Sequence, residues 1–353
     1  MGAAYDDNIL YTEDEKVDSS ILTVSPSVDL DYETLLSSVT LSADWDILTY
    51  LDESDLNRTN QYYELSGDRR FKERWKADID LKYYDDTTLN TYLQETGRVI
   101  ERVQRNFLEA GGDVDYDLTT VSGLSVGYRY QDASYDDDDF SDYYNHRGNL
   151  YYVHRLKTEV DRISIGPSYY YRKNDFNEVD SYSMDIGWHR DWSTVSYSFA
   201  SIGARYAEVT DEDGSDDDSW GARARIDLSF DGETSTTLFR YFHDLRTTSQ
   251  GDDINVDNFY FSYRQLLTER FRAGINARLV FSYKLLDRQS DVNDSRYYWL
   301  EPNLTYDVMR NLRVSLSYRY QNNVESGDDG ERDITRERNV FWLQFSYSWT
   351  TLF

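Results

Sequence analysis

For most of this chain every second residue is apolar, and that alternation limits the possible folds more than any other feature. In "RFRAGINARLVFSYKL" one parity carries Phe271, Ala273, Ile275, Ala277, Leu279, Phe281, Tyr283 and Leu285, while the other is mostly Arg272, Gly274, Asn276, Arg278, Ser282 and Lys284. "GLSVGYRYQ" sets Leu124, Val126, Tyr128 and Tyr130 against Ser125, Gly127, Arg129 and Gln131. "LRVSLSYRYQ" repeats the pattern, with Arg313 and Arg319 on its polar side. Side chains of a strand point alternately to its two faces, so each run is a ribbon with one apolar and one polar face.

The connections between ribbons are also of two kinds. Short turns fall near Glu33-Thr34, Lys72-Glu73, Thr119-Thr120, Asp191-Trp192, Asp231-Gly232 and Met309-Arg310. Between them lie longer acidic loops such as "LDESDLN", "YQDASYDDDDFSD", "TDEDGSDDDSWG", "TSQGDDINVD" and "NNVESGDDGERDI". Outer-membrane barrels are built this way, with turns on the periplasmic side and loops outside. From the first clear strand, Ser20 to Tyr32, to the C-terminus about seventeen strands can be counted, and bacterial barrels need an even number. "YDDNILYT" (Tyr5–Thr12) supplies one more. The expected fold is therefore all-β, a transmembrane antiparallel up-and-down barrel of about eighteen strands; about sixteen is the count if Tyr5–Thr12 folds into the lumen. The chain then forms one domain over 1–353, with 1–19 as a first strand and acidic outer loop or as a lumenal segment. "LNTYLQETGRVIERVQRNF" fits the alternation poorly and reads as a long outer loop with a helical turn, or as a hairpin rising above the membrane.

Composition agrees with this reading. The chain carries a net charge of −29 and a mean hydropathy of −0.76, yet it holds 33 Tyr, 15 Phe and 8 Trp, which separates it from disordered acidic chains. No apolar run is long enough for a membrane helix, but a spanning strand needs only about 9–11 residues with every second one apolar. Three prolines leave long ladders unbroken. A barrel this wide cannot fill its interior with side chains, so the apolar parity faces lipid and the polar parity faces water. Two soluble sandwiches are the competing architecture, but a core drawn from one parity would not contain so much Tyr. Tyr169, Tyr171, Trp220, Trp299 and Trp349 suit the interfacial aromatic girdles. The opening "MGAA" reads as a start codon on a mature chain.

The expected chemistry is that of a channel. With no Cys and only four His, none at metal-ligand spacing, neither a catalytic nor a metal site is predicted, and no cofactor. "DEDGSDDDS" lacks the ligand spacing of a calcium loop and reads as a solvated loop tip, with divalent bridging to lipopolysaccharide as a lesser reading. The inward parity places Arg129, Arg172, Arg223, Arg225, Arg272, Arg278, Lys284, Arg313 and Arg319 along the middle and C-terminal strands. It places Asp44, Asp46, Asp78, Asp80, Asp113 and Asp115, with Asp29, Asp31 and Asp117, along the first third. Because a barrel wall is wound in sequence order, the lumen is expected to have an acidic arc facing a basic one, which biases what passes. Tyr84 and Tyr170 share the inward parity.

The motifs "YDDNILYTEDEKVDSSILTVSPSVDLDYE", "LNRTNQYYELSG" and "DDTTLNTYLQETG" resemble recurring segments of a family of outer-membrane β-barrel porins associated with exopolysaccharide secretion, the PEP-CTERM-system-associated type. The likeness covers most of the chain and is strongest in its first third. It implies an outer-membrane channel of a Gram-negative bacterium for a hydrophilic polymer, most naturally exopolysaccharide export. A general or solute-selective diffusion porin, or the sheath of a larger complex, is the alternative. The strand number is also similar to that of the alginate exporter. The terminal run "NVFWLQFSYSWTTLF", with Phe345, Tyr347, Trp349 and Phe353 on one parity, resembles the signal read by the barrel assembly machinery. Lipid, lipopolysaccharide, that machinery and periplasmic polysaccharide-export components are the partners so implied, and no nucleic acid.

Overall fold

The computed structural model describes residues 1–98, 102–137, 140–158, 160–211, 214–247, 253–285, 294–326 and 332–349. Its strands are β1 (Gly2–Asp6), β2 (Ser19–Val24), β3 (Ser27–Glu33), β4 (Ser37–Tyr50), β5 (Arg58–Lys72), β6 (Trp75–Thr87), β7 (Gln104–Asp117), β8 (Ser122–Tyr135), β9 (Tyr143–Arg155) and β10 (Asp161–Asn174). They continue with β11 (Asn177–Asp191), β12 (Tyr197–Asp211), β13 (Asp216–Asp231), β14 (Ser235–Thr247), β15 (Asp253–Leu266), β16 (Phe271–Lys284), β17 (Ser295–Met309), β18 (Leu312–Glu325) and β19 (Ile334–Tyr347). One helix, α1 (Thr88–Thr96), lies between β6 and β7.

Sequence neighbours pair antiparallel, and β1 closes the sheet by pairing with β19 on one side and β2 on the other. β2 and β3 both pair with β4 and share one place in the wall, interrupted at Ser25-Pro26, where proline has no N–H to donate. The wall therefore has eighteen positions from nineteen strands. The first strand is Gly2–Asp6 and not Tyr5–Thr12; beyond it Ile9 and Tyr11 are buried. "YDDN" is the closing staple. Asp6 accepts from Arg338 Nε at 3.0 Å (Oδ1) and 2.9 Å (Oδ2) and from its Nη2 at 2.5 Å, and Asp7 accepts from the Asn339 N–H at 2.6 Å. Asn8 donates to the Glu337 carbonyl at 2.9 Å. Three consecutive side chains thus hold a strand of only five residues against β19.

The two faces divide as the alternation requires. Ile163, Ile165 and Tyr169 on β10, Tyr182, Met184, Ile186 and Trp188 on β11, and Phe341, Leu343, Phe345 and Tyr347 on β19 are exposed on the outer surface. Hydrocarbon offers no water to backbone groups, and the closed sheet pairs them strand to strand around most of its wall, so this apolar surface is a lipid-facing belt. The chain is an outer-membrane barrel protein of a Gram-negative bacterium. Trp349 is exposed beyond β19, and Phe353 lies outside the described residues. Trp299 is a correction to the predicted girdle. It has inward parity on β17 and is buried against α1's cluster, because the lumen at its level is filled.

Charge pairs on the inner face lie in rows across three strands, over glycine. Asp80 and Arg129 flank Gly111 in register and meet at 3.0 Å. Asp185 and Arg223 flank Gly203 and meet at 2.8 Å. A Cβ on Gly203 would stand 2.1 Å from Asp185 Oδ1, so the missing side chain is what lets the bridge form.

Candidate functional site

The segment joining β6 and β7 builds the outer end of the lumen. Those strands hold the fifth and sixth wall positions, while β15, β16 and β17 hold the fourteenth to sixteenth, half the circumference away. α1 nevertheless packs on the latter. Leu89 and Leu93 are buried with Ile254, Val256, Val280, Tyr297 and Trp299, and Tyr11 of the N-terminal segment completes the cluster. The helix ends at Gly97, whose φ of +73° places it in the left-handed region and whose hydrogen would become a Cβ 3.0 Å from Val280. Its free carbonyls are taken by the far wall. Asn258 and Arg278 donate to Gln94 O at 2.9 and 3.0 Å, and Ser295 and Asn323 donate to Gly97 O, both at 2.7 Å. α1 therefore crosses the mouth and is docked at both its apolar face and its polar end.

A second closure lies beside it. The β13–β14 ladder runs from Asp231↔Thr236 to Ala224↔His243 and stops, although both strands continue. Beyond that point β14, with the outer ends of β15 and β16, leans into the lumen as a flap. Its former outer face meets the inner face of β10 to β12. Leu245 and Leu285 are buried against Val179 and Val209, with Tyr170 beside them. Asp253 pairs with Arg172 at 2.5 Å, and Asn255 accepts from Arg205 at 2.7 Å. The inner face of the same flap carries Val256 and Val280, on which α1 sits.

Below these closures is a cavity of about 1090 Å³. It is lined from Gln94 and Arg246 at the outer end down to Val153, Ser164, Phe199 and Leu238, which lie a few residues from the short inner turns. Side-chain exposure follows the same axis. Arg225 and Arg240, toward the inner end, are 62% and 56% exposed; Arg223 higher up is 21%, Arg205 2% and Arg172 0%. The lumen is thus wet from the inner side and packed at the outer.

The cavity lining carries seven arginines, Arg147, Arg223, Arg225, Arg240, Arg246, Arg278 and Arg319, against four carboxylates, Asp185, Asp227, Asp244 and Glu301. Arg223 meets Asp185 and Asp244, Arg225 and Arg240 share Asp227, and Arg319 meets Glu301. Arg147, Arg246 and Arg278 have no carboxylate at ion-pair distance among the described residues. Each lies over an aromatic ring instead, Tyr170 at 5.2 Å, Phe242 at 5.0 Å and Tyr260 at 5.2 Å respectively.

Of the arginines expected from parity, the structure brings Arg223, Arg225, Arg278 and Arg319 into this cavity. Arg129 pairs with Asp80 and Arg272 and Arg313 share Asp307, while Arg172 is consumed by the flap; Lys284 is at the outer end of β16. Asp44, Asp46, Asp78, Asp80, Asp113 and Asp115 lie on β4, β6 and β7, with Asp78 held by Lys76 at 2.7 Å. Tyr84 donates to Glu64 and stacks on Phe107. Parity reading missed Arg147, Arg240 and Arg246. Their strands, "YYNHRGNLYYVHR" and "STTLFRYFHDLRT", carry aromatics on both faces, so the polar parity is blurred. It also missed the carboxylates interleaved with the basic residues. Among the described residues no group of three or more potential ligands is placed to hold a metal ion.

No family model matches the chain, and no curated protein matches its sequence. Similar solved structures are outer-membrane transporters and receptors. The ferric citrate transporter FecA, in its unliganded form, aligns over 92% of this chain and 59% of its own at 10% identity and a TM-score of 0.48. The siderophore receptor PiuA from Acinetobacter baumannii aligns over 94% and 64%, with 10% identity and a TM-score of 0.47. The FrpB iron transporter from Neisseria meningitidis aligns over 96% and 68%, with 9% identity and a TM-score of 0.46. The chain spans about six tenths of the length of the first two. Likeness at this level carries no information about cargo.

Proposed function

We propose that this protein is an outer-membrane channel that passes a hydrophilic acidic polymer outward, an exopolysaccharide export porin of the kind its N-terminal motifs resemble. The observation that carries this reading is the cavity's balance of charge. In a chain with a net charge of −29, this cavity has three more arginines than carboxylates in its lining. Arginine offers a planar fork of donors to a carboxylate or to ring hydroxyls, and aromatic faces receive the apolar face of a sugar ring. Here Phe242 and Tyr260 hold Arg246 and Arg278 in place in the lining, so a passing residue meets preset donors at several heights. Conduction needs many weak contacts of this kind, not one tight one. Wetness from the inner side and closure at the outer suit a cargo that arrives from the periplasm.

The test has two parts. Deleting the gene should abolish surface polymer in the native bacterium; unchanged secretion overturns the export reading. In planar bilayers, the purified protein should select anions over cations, and an oligouronate added on the periplasmic side should block ion current more strongly than a neutral oligosaccharide of equal length. The triple variant Arg147→Gln, Arg246→Gln, Arg278→Gln should lose most of that difference. A large, constitutively open and unselective pore would favour a diffusion porin instead.

A further inference from the structure

We infer that the inner half of the first wall position is a docking notch for one extended strand of a periplasmic protein, a strand that alternates apolar with basic residues. β1 lies between β2 and β19 and is short. Its ladder to β19 runs from Asp6↔Val340 to Gly2↔Gln344, and Met1 and Phe345 add one more exchange of hydrogen bonds, at 3.2 and 2.8 Å. Its ladder to β2 ends at Gly2↔Thr23. β3 carries the second wall position on toward the periplasm in unbroken register on β4, from Val24↔Ile47 to Ser27↔Asp44 and Glu33↔Ser38. Among the described residues no strand continues β1 beside it.

The ladder shows which backbone groups are left over. In an antiparallel pair, alternate residues exchange both their hydrogen bonds with the partner. Pro26 O accepts from the Trp45 N–H at 3.1 Å at one end of the β3–β4 pair, and the Thr34 N–H donates to Ser37 O at 2.8 Å at the other. Val28, Leu30 and Tyr32 therefore bond to β4, while Ser27, Asp29, Asp31 and Glu33 point their N–H and C=O groups into the notch. β3 pairs with β4 alone among the described residues, and all seven of its residues are exposed. On the far side of the notch the Ser348 N–H donates to Asn311 O at 3.0 Å, so the backbone of Tyr347 is turned the other way, into the notch. Val28, Leu30 and Tyr32 stand opposite Ala43, Leu41 and Val39 on the lipid-facing side. Backbone groups at that depth need a partner, because hydrocarbon supplies none, and an unpaired edge is a template for another strand.

The side chains define the partner. On the lipid side Val28, Leu30 and Tyr32 are 52%, 53% and 65% exposed, and Leu35 and Leu36 in the turn below them are exposed as well. On the lumen side Asp29, Asp31 and Glu33 are exposed in a row, with no cation at ion-pair distance among the described residues; Asp31 accepts from the Thr40 hydroxyl at 2.7 Å. A strand added in line with β1 runs antiparallel to β3, and its residues alternate between the same two faces. Apolar side chains on its outer face pair with Val28, Leu30 and Tyr32, and lysine or arginine on its inner face meets the three carboxylates. The recognition mode is strand addition, in which main-chain bonds give affinity and alternate side chains give specificity. The notch opens at the short-turn end of the barrel, so the strand comes from the periplasm. It lies in the wall and not in the lumen, so it stands or falls independently of the cargo proposed above.

The probe is a heptapeptide alternating lysine and valine, with its central valine replaced by cysteine; a second peptide carries glutamate in place of lysine. The chain has no cysteine, so single ones can be introduced without background. Leu30 faces the notch at a non-hydrogen-bonded position, where cross-strand Cβ atoms are closest. In the full chain in detergent micelles, Leu30→Cys should form a mixed disulfide with the lysine peptide at least tenfold faster than Leu41→Cys, which also faces the micelle but lies one strand farther off. That advantage should vanish with the glutamate peptide, and most of it should be lost when Asp29→Asn and Asp31→Asn are added. Equal rates at the two cysteines, or the same advantage with both peptides, overturns the proposal. Hydrogen exchange tests it on the unmodified chain. The Asp29 and Asp31 amides should exchange at least a hundredfold faster than those of Leu30 and Tyr32, and should slow at least tenfold when a cysteine-free lysine–valine peptide is added. Equal protection of the two sets before peptide is added means that the edge is already covered, by a second copy or by the chain itself, and also overturns the proposal.

Discussion

The arc from β4 to β9 and the arc from β14 to β16 have the same alternation in sequence but different fates in the barrel. In the first arc each ladder runs the length of its strands, and the outward residues Leu41, Leu81, Leu108 and Val126 face lipid. In the second, the ladder to β13 ends early, and outward-parity residues such as Leu245 and Leu285 are buried against the inner face of nearby β11 and β12. Alternation fixes which residues share a face. It does not fix what that face meets, because lipid and another apolar patch satisfy it equally.

The largest test of this contrast is a leucine truncated in each region. Leu93 is fully buried between α1 and the flap, whereas Leu108 is 41% exposed on the lipid face of β7. Leu93→Ala removes core contacts, which typically costs about 2–5 kcal/mol. α1 should then leave the flap, with a rise of more than tenfold in single-channel open fraction. Leu108→Ala should leave conductance unchanged. Equal effects of the two would mean that α1 does not close the lumen.

A smaller effect is expected where glycine spaces the charged rows. Gly203→Val places a side chain where Asp185 Oδ1 and the Met184 carbonyl stand 2.1 and 2.6 Å from the new Cβ. The Asp185–Arg223 bridge should break and the barrel lose about 1–3 kcal/mol, read as a lower temperature for the heat-modifiable shift of the folded band. Gly148→Val meets no heavy atom within 4 Å of the Cβ, so the folded band should keep its temperature.

These pairs show how much of the molecule is legible in the sequence. The wall is, because period two over "GLSVGYRYQ" or "LRVSLSYRYQ" survives in β8 and β18 and leaves lipid as the one medium for the apolar side. The strand count is too, although the closing strand is Gly2–Asp6 and not the segment after it, since its pairing depends on Asp6, Asp7 and Asn8 meeting β19 more than three hundred residues away. The partial helical spacing of "LNTYLQETGRVIERVQ" locates α1, but Val99 and Ile100 fall outside the described residues, and nothing local says that Leu89 and Leu93 dock on β15 to β17. The basic residues of the inner face were visible by parity. Their neutralisation was not, since parity gives the face but not the register that sets Asp185 and Asp244 beside Arg223 and Glu301 beside Arg319.

The finest comparison is between the two ends of the cavity itself. Arg240 and Arg225 stand at the wet inner end and share Asp227, whereas Arg147 and Arg246 stand higher, over Tyr170 and Phe242. Charges in open water are screened over about 8 Å at physiological salt, while those lodged against low-dielectric walls are screened less. Arg240→Gln should therefore reduce anion preference slightly at 0.05 M salt and not at 1 M, as read from reversal potentials across a salt gradient. Arg246→Gln should reduce it by a larger factor that persists at high salt. Were the inner arginine to dominate at both salt concentrations, discrimination would reside at the periplasmic vestibule, and the stacked arginines near α1 would serve packing instead.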